Sequence, residues 1–235
     1  MNDGGVFRIG SRPRTGSRRE WLAHCTALAL AVGATWPAAA SAQEAPRKRA
    51  AETILVVGDS LSAEYGLKRG TGWVALLQAR LAQRHPGVSV VNASISGDTT
   101  AGGRSRLAGL LATHKPSIVI LELGGNDALR GLPLDTTRAN LAAMTRAAEA
   151  SGAKVLIVGM QVPPNYGRQY AEQLSALFGV VAKAEGAALV PFLLKGVADG
   201  PHADAMFQAD RIHPKEAAHP IMLDNVWPVL EPLLR

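Results

Sequence analysis

Short apolar runs alternate with longer amphipathic segments along most of the chain. Runs of strand length and composition lie at residues 53–57, 88–92, 117–121, 154–158 and 188–191. Segments with helical periodicity lie between and after them, at about 71–84, 100–114, 136–150, 170–185 and 214–234, and prolines interrupt the last one. Strands that alternate with helices predict a parallel sheet with helices packed on it.

The third run, from Ile118 to Leu121, is apolar at every position instead of at every second one. Continuous apolar character is typical of a strand that is covered on both faces. The pattern therefore predicts an α/β fold of three layers, with a five-stranded parallel sheet of flavodoxin-like order between two layers of helices. In such a sheet the loops that follow the carboxyl ends of the strands gather along one edge.

The beginning of the chain has the pattern of a cleaved export signal. Basic residues precede an alanine-rich apolar run over 21–40, and the sequence A-S-A at 40–42 is a small-x-small cleavage pattern. We predict a signal peptide at 1–42, a flexible lead-in at 43–52 and a single domain at 53–235.

Removal of the signal peptide would change the charge and the thiol content. The whole chain has 25 Lys and Arg, 19 Asp and Glu and a net charge of +6; five of the basic and two of the acidic residues lie in 1–42, so 20 and 17 remain and the net charge falls to +3. A nucleic-acid partner is therefore not indicated. Cys25, the only cysteine, would also be removed, so no disulfide is expected.

The export route has two candidates. The Arg18-Arg19 pair before the apolar run fits the twin-arginine route, and the general secretory route is the alternative. Either route predicts a periplasmic or secreted protein that keeps no stable membrane anchor after cleavage.

A hydroxyl, an imidazole and a carboxylate are expected at the loop edge of the sheet. Ser60 follows the first strand in the sequence VVGDSLS, and Asp210 and His213 follow the last strand. A serine hydroxyl becomes a nucleophile when a neutral imidazole takes its proton, and a carboxylate can fix the orientation of that imidazole. We therefore predict Ser60 as nucleophile, His213 as base and Asp210 as its orienting partner. Asp59 is predicted to hold the serine turn as a hydrogen-bond acceptor.

Attack by Ser60 on an acyl carbon would create an oxyanion, which needs hydrogen-bond donors aimed at it. Candidate donors follow the first three strands: the backbone N–H of Ser60, the backbone N–H of Gly97 and the side-chain amide of Asn126. Asp127, beside this amide, is interpreted as loop scaffolding. His219 has no partner at a catalytic spacing and is assigned no role.

The local sequence G-D-S-L-S differs from the G-x-S-x-G nucleophile elbow of the α/β-hydrolases. Gly58-Asp59-Ser60-Leu61, with Gly97, Gly125-Asn126-Asp127 and Asp210-x-x-His213, instead resembles the four sequence blocks of the GDSL, or SGNH, hydrolases. The strings VVNASISGDTT, LELGGNDALRG and PPNYGRQY are similar to those of the bacterial multifunctional thioesterase, protease and lysophospholipase group. The resemblance covers essentially all of residues 53–233.

This resemblance implies an exported serine esterase that cleaves carboxylic esters and thioesters and needs neither cofactor nor metal. It places Ser60, Asp210 and His213 in a catalytic triad, and Ser60, Gly97 and Asn126 in the oxyanion hole. Aryl esters, short-to-medium acyl esters, acyl-CoA and lysophospholipids are the implied substrates, with transient contact to lipid.

The chain departs from this family pattern at Glu64, where relatives often carry glycine. The Glu64 carboxylate is expected either to put a charge near the mouth of the site or to cap the following turn.

Two apolar loops are predicted to bind the acyl or aryl group of the substrate. They contain Leu129, Leu132 and Pro133 after the third strand, and Pro164 and Tyr166 after the fourth. The chain has only three Tyr and four Phe for stacking on sugar rings, so acyl esters are favoured over acetylated carbohydrates. A carbohydrate O-acetylesterase and a catalytically silent binding protein on the same fold are the alternatives.

Other ligand classes are not indicated by the sequence. The chain has neither a His-x-x-x-His pair nor a cysteine after residue 25, so no metal site is expected. It also lacks the glycine motifs that bind phosphates and dinucleotides. The expected partners are small ester or thioester molecules, and no feature specifies an oligomeric state.

Overall fold

The computed structural model describes residues 52–162 and 164–234, and its centre is a parallel sheet. The strands are β1 (Glu52–Gly58), β2 (Val88–Asn92), β3 (Ile118–Glu122), β4 (Lys154–Val158) and β5 (Ala188–Val190). Their order is β2-β1-β3-β4-β5, and every neighbouring pair is parallel. The predicted α/β class and flavodoxin-like order are confirmed. The predicted signal peptide, with Cys25, and residues 43–51 of the predicted lead-in lie outside the described residues.

The middle strands are buried, as the continuous apolar runs predict. β1 and β3 pair from Ile54 opposite Ile118 onward, and both strands are almost fully inaccessible to solvent over these residues. β2 is an edge strand and is only half-buried. β1 begins one residue earlier than predicted, because Glu52, which we assigned to the lead-in, pairs with Val88 of β2.

Two groups of helices cover the sheet. The helices are α1 (Trp73–Arg84), α2 (Thr100–His114), α3 (Gly125–Leu129), α4 (Leu134–Ala150), α5 (Arg168–Glu185), α6 (Ala203–Met206) and α7 (His219–Leu230). Short 3-10 helices lie at Pro164–Tyr166, Glu216–Ala218 and Glu231–Leu233. α1 packs against α7, whereas α2, α4 and α5 pack side by side as the other group.

The C-terminal segment is divided, as its prolines predict. α7 is flanked by two of the 3-10 helices and contains Pro228, and Pro232 lies in the 3-10 helix that follows it. Proline has no backbone N–H and so interrupts the hydrogen bonding of a long helix. Among the helices of residues 52–162 and 164–234, none has the length and apolar character that a membrane crossing requires.

Candidate active site

Ser60 lies in a tight turn directly after β1. The carbonyl of Asp59 accepts the backbone N–H groups of Ser62 and Ala63, at 3.2 and 2.9 Å, and this brings the chain round sharply after the strand. A Cβ atom at Gly58 would lie 2.8 Å from both the Glu122 carboxylate and the Ser62 hydroxyl. Only glycine therefore fits at this position of the G-D-S-L sequence without displacing its neighbours.

The structure brings Ser60 and His213 into hydrogen-bond contact although 153 residues separate them. Nε2 of His213 lies 2.9 Å from the Ser60 hydroxyl, and Nδ1 lies 2.7 Å from Oδ2 of Asp210. In the tautomer that fits both contacts, the serine O–H donates to Nε2 and Nδ1–H donates to the carboxylate. The three predicted triad residues thus form one continuous chain of hydrogen bonds.

Asp210 is held by its own loop. Its Oδ1 atom accepts the backbone N–H groups of Ile212 and His213, both at 3.0 Å. The backbone N–H of His213, followed by its ring, lowers the pKa of Asp210 to about 2. The carboxylate therefore stays charged at all ordinary pH values and can stabilise an imidazolium beside it.

Hydrogen bonds tie the segments that carry the other two predicted oxyanion donors, Gly97 and Asn126, to the turn that carries Ser60. The backbone N–H of Ile95 donates to the Gly58 carbonyl at 3.0 Å, and this bond holds the loop containing Gly97 against the serine turn. Gly97 has φ +79°, a conformation that favours glycine. Within residues 52–162 and 164–234, the backbone N–H groups of Ser60 and Gly97 donate to no protein acceptor, so both are free to bind an oxyanion.

Asn126 is positioned by Asp59. The Nδ2 atom of Asn126, in α3, donates to Oδ2 of Asp59 at 3.0 Å, and the second amide hydrogen remains for another acceptor. Oδ1 of Asp59 accepts the backbone N–H of Leu61 at 3.0 Å. The position of Asp59 agrees with its predicted function in holding the turn, and the structure adds a contact to Asn126, a predicted oxyanion donor.

Asp127 has the scaffolding contacts that its interpretation requires. Its carboxylate accepts the backbone N–H and the hydroxyl of Thr100 in α2 and the hydroxyl of Thr137 in α4, the last at 3.1 Å. These bonds join α3, which carries Asn126, to two longer helices.

Glu122, which was not predicted from the sequence, is a buried carboxyl next to the turn that carries Ser60. Its Oε2 atom accepts the hydroxyl of Ser62 at 2.7 Å and the backbone N–H of Asp59 at 3.3 Å, while Oε1 has no partner among the described residues. Burial, and then the charge of Asp59, raise the pKa of Glu122 well above its usual range. Burial likewise raises the pKa of Asp59 to about 6. The sequence signal for this carboxyl is an acidic residue at the end of an otherwise apolar strand.

Tyr65 and Gln208 support the loop that carries His213, although neither was predicted from the sequence. The ring of Tyr65 lies against that of His213, with centroids 4.3 Å apart and planes tilted by 39°. The side-chain amide of Gln208 donates to the carbonyls of Tyr65 and Pro214, at 3.0 and 3.1 Å. The loops that carry Ser60 and His213 are therefore tied to each other, and neither contact has a sequence pattern that identifies it.

The carboxylate of Glu64 caps the turn that follows it. Its Oε1 atom accepts the backbone N–H groups of Gly70 and Gly72, both at 2.9 Å. Of the two functions expected for this residue, the structure therefore favours capping. Its φ of +59° lies in the left-handed region, a conformation that glycine adopts without strain.

His219 has a partner, contrary to the sequence interpretation. Its Nδ1 atom accepts the backbone N–H of Trp73, the first residue of α1, at 3.0 Å. Burial lowers the pKa of His219, consistent with a neutral ring that acts as acceptor. The contact crosses 146 residues of sequence, so no local spacing could reveal it.

The predicted acyl-binding residues lie in the segments that follow β3 and β4. Leu129 ends α3 and is exposed, Leu132 is half-buried, and Pro133 is exposed at the start of α4. Tyr166 is exposed in the 3-10 helix after β4; the side chain of Pro164 lies outside the described part of the structure. The hydroxyl of Tyr170 reaches the Leu132 carbonyl at 3.4 Å and so connects the two segments.

The ionisable side chains of the site do not form a metal centre. Over the described stretches 52–162 and 164–234, no group of three or more His, Cys, Asp and Glu side chains is arranged to hold an ion.

Known proteins share this sequence and architecture. The family described as GDSL-like lipase/acylhydrolase matches residues 56–221. Esterase TesA of Pseudomonas aeruginosa is 56% identical over 188 residues, which cover 80% of this chain and 92% of the relative. The thioesterase 1/protease 1/lysophospholipase L1 of Escherichia coli is 40% identical over 188 residues, or 80% of this chain and 88% of the relative. 

The similarity extends to three dimensions. The crystal structure of TesA has a TM-score of 0.75 and 56% identity, with 78% of this chain and 100% of that chain covered. The resemblance expected from the four sequence blocks is thereby confirmed. The chain belongs to the GDSL-like lipase/acylhydrolase family and is a serine ester hydrolase.

Proposed function

We propose that the protein is an exported esterase that cleaves carboxylic esters and thioesters through an acyl-serine intermediate. The observation that carries the proposal is the chain of hydrogen bonds from Ser60 to His213 to Asp210, with contacts of 2.9 and 2.7 Å. This arrangement supplies a nucleophile, a base that accepts its proton and a carboxylate that fixes the base.

The first half of the reaction forms the acyl-serine. Oγ of Ser60 attacks the carbonyl carbon while its proton moves to Nε2 of His213. The carbonyl oxygen becomes an oxyanion, which the N–H groups of Ser60 and Gly97 and the amide of Asn126 stabilise. Loss of one such donor typically lowers kcat by about 10²- to 10³-fold. The tetrahedral intermediate collapses, and Nε2–H of His213 protonates the departing alcohol or thiol.

The second half removes the acyl group. A water molecule takes the place of the leaving group and gives a proton to Nε2 of His213 as it attacks the acyl carbon. Collapse of the second tetrahedral intermediate releases the carboxylic acid, and the proton returns to Oγ of Ser60. Asp210 remains ionised through both halves, because its pKa of about 2 lies far below the working pH.

The apolar loops and the names of the relatives support the substrate class. Relatives are named as an esterase and as a thioesterase and lysophospholipase. We propose aryl esters, short-to-medium acyl esters, acyl-CoA and lysophospholipids as substrates, with Leu129, Leu132, Pro133, Pro164 and Tyr166 near the acyl or aryl group. A panel of p-nitrophenyl esters and acyl-CoAs of graded chain length tests this proposal. Activity that depends on acyl length supports it, and activity that does not depend on acyl length contradicts it.

Replacement of the nucleophile tests the mechanism. Hydrolysis of p-nitrophenyl butyrate should fall by about 10⁶-fold in Ser60→Ala, because the remaining groups cannot form the acyl-enzyme. Ser105→Ala, at an exposed serine on α2, is the matched control and should keep full activity. A fluorophosphonate should label the parent protein and not Ser60→Ala. Equal hydrolysis by parent and Ser60→Ala would contradict the proposed nucleophile.

A further inference from the structure

Large apolar side chains are exposed in every loop along the catalytic edge of the sheet. One residue follows each strand from β1 to β5, and each is between 38% and 53% exposed: Tyr65, Ile95, Leu129, Tyr166 and Ile212. Among the described residues one other large apolar side chain is comparably exposed, Val180 on α5. Singly scattered apolar side chains are ordinary on a protein surface, but their concentration on one edge indicates an interaction surface. We call these five residues the apolar rim.

Cations accompany the apolar rim. Exposed basic residues in the same loops, or directly beside them, are Lys68, Arg69, Arg130, Arg168 and Arg211. Within the part of the chain that the structure describes, none of them forms an ion pair with an acidic side chain. Their charges are therefore available to an anionic surface facing the rim.

Most acidic groups at this edge are already engaged. Asp98 is paired with Arg106 at 2.8 Å, Glu64 accepts two backbone N–H groups, and Asp210 contacts His213. Two exposed acidic residues, Asp199 and Asp204, lie in the long segment after β5. The excess of basic over acidic side chains is therefore found mainly in the loops after β1, β3 and β4.

We propose that the apolar rim docks on the surface of an anionic phospholipid bilayer. Apolar side chains that enter the interface, with Lys and Arg beside them at the level of the headgroups, are the combination that binds peripheral proteins to such surfaces. A second copy of this chain fits less well, because a symmetric contact would place the cations of one copy against those of the other. Docking requires no chemistry at Ser60, so it stands apart from the proposed hydrolysis.

Docking in this way would place the catalytic groups at the interface. The Tyr65 ring belongs to the rim and lies 4.3 Å from the His213 ring, and Ile212 directly precedes His213 in the chain. An ester held in the lipid surface would then reach Ser60 without first entering bulk water.

Vesicle binding in the Ser60→Ala background tests the proposal without lipid hydrolysis. Co-sedimentation of the full chain is measured with vesicles of phosphatidylcholine alone and of phosphatidylcholine with phosphatidylglycerol. We expect binding to the anionic vesicles to be at least about tenfold tighter, and to weaken as salt screens the charges. The double variant Ile95→Ser/Arg168→Gln should weaken that binding by about tenfold, since about fivefold is expected from one basic residue alone.

A matched control separates the rim from the rest of the surface. Val180→Ser/Lys183→Gln likewise replaces one exposed β-branched apolar residue by serine and one exposed basic residue by glutamine, both on α5, and should bind like its parent. All variants contain the same residues 1–51, so any contribution of that segment is equal among them. Equal binding by the rim variant and the control variant would overturn the proposal, as would equal binding to neutral and anionic vesicles. Self-association without vesicles, abolished only by the rim variant, would instead assign the rim to a second copy.

The same double variant also separates docking from catalysis. With Ser60 intact, Ile95→Ser/Arg168→Gln should hydrolyse soluble p-nitrophenyl butyrate at the parental rate. Residue 95 supports the Gly97 loop only through its backbone N–H, which serine retains, and in the described part of the chain Arg168 has no contact with the triad or the oxyanion donors. Lost vesicle binding with retained hydrolysis supports docking. Lost hydrolysis of the soluble ester would show that the variant has altered the site itself, and would contradict a docking function confined to the rim.

Discussion

At the scale of single residues, two buried carboxyl groups lie next to the turn that carries Ser60, in surroundings that disfavour their ionised forms. Asp59 and Glu122 are both almost fully buried, and the backbone N–H of Asp59 donates to Oε2 of Glu122 at 3.3 Å. Trp73 extends the network, because its Nε1–H donates to the Ser62 hydroxyl at 3.2 Å, and that hydroxyl donates to Glu122. Like charges in a low dielectric disfavour double ionisation, so the pair retains a proton at pH values where exposed carboxyls are ionised.

Replacement of Glu122 by Gln should change how stability depends on pH. The folded protein keeps a proton on Glu122 above pH 4.5, the usual pKa, whereas the unfolded chain loses it, so the free energy of unfolding falls as pH rises from there. The glutamine side chain does not titrate in this pH range, and its amide oxygen can still accept the Ser62 hydroxyl. We expect urea unfolding to show a smaller decline from about pH 5 to about pH 8 in Glu122→Gln than in the parent. Parallel declines in the two proteins would contradict a proton held by Glu122.

Replacement of Tyr65 should test the ring contact with His213. A ring pair of this kind contributes about 0.5–1.5 kcal/mol, so we expect Tyr65→Ala to lower kcat/KM for a soluble ester by about 2- to 10-fold. Tyr65→Phe keeps the ring and should remain close to the parent. An equal loss of kcat/KM in Tyr65→Phe and Tyr65→Ala would show that the hydroxyl, and not the ring contact, carries the effect.

At the scale of elements, the start of α1 shows how a distant residue moves a helix boundary. The sequence predicts a helix from residue 71, but α1 begins at Trp73 with Gly72 as its N-cap, and Gly72 has no side chain to accept a hydrogen bond. The Gly72 N–H donates instead to Glu64, and the Trp73 N–H donates to His219 on α7. The first donors of the helix are therefore satisfied from outside the segment that local reasoning considers.

Glu64 should stabilise this junction in spite of its backbone strain. Glu64→Ala loses two charge-assisted hydrogen bonds and keeps the left-handed φ, so we expect the free energy of unfolding to fall by about 2 kcal/mol or more. Glu64→Gly loses the same bonds but relieves the strain, and should be about 1 kcal/mol more stable than Glu64→Ala. Urea unfolding measures both, with Glu172→Ala on the exposed surface of α5 as a control expected within about 0.5 kcal/mol of the parent. Equal free energies of unfolding for Glu64→Ala and Glu64→Gly would show that the backbone of residue 64 carries no strain.

At the scale of the whole molecule, the buried sheet has to supply stability without covalent cross-links. The strands β1 and β3 are inaccessible over their apolar residues, and helices from both groups pack on the sheet. Burial of this kind provides the main favourable contribution to folding.

Processing after residue 42 predicts a protein without thiols. We expect the exported form to begin at Gln43, to show no thiol in a titration under denaturing conditions and to have the same thermal midpoint with and without reductant, because Cys25 is the only cysteine. N-terminal sequencing of the exported protein gives the cleavage site. One thiol per chain in the exported form would contradict cleavage after Ala42.

The sequence by itself determined the fold class, the strand order and the chemical groups in each loop. These depend on apolar periodicity and on the position of polar residues after strands, which are local properties of the chain. Ser60, Gly97, Asn126, Asp210 and His213 could be named for this reason, together with their resemblance to a known family.

Only the tertiary structure decided how these groups meet and what supports them. The contact of Ser60 with His213, the ring of Tyr65 on that histidine, and the partnership of Asp59 with Glu122 join residues on different loops or strands. Such contacts depend on where the folded backbone places each loop, to within an ångström or so, and on which charges are buried together. Neither quantity can be obtained from the spacing of residues along the chain, because both arise from packing between elements that are distant in sequence.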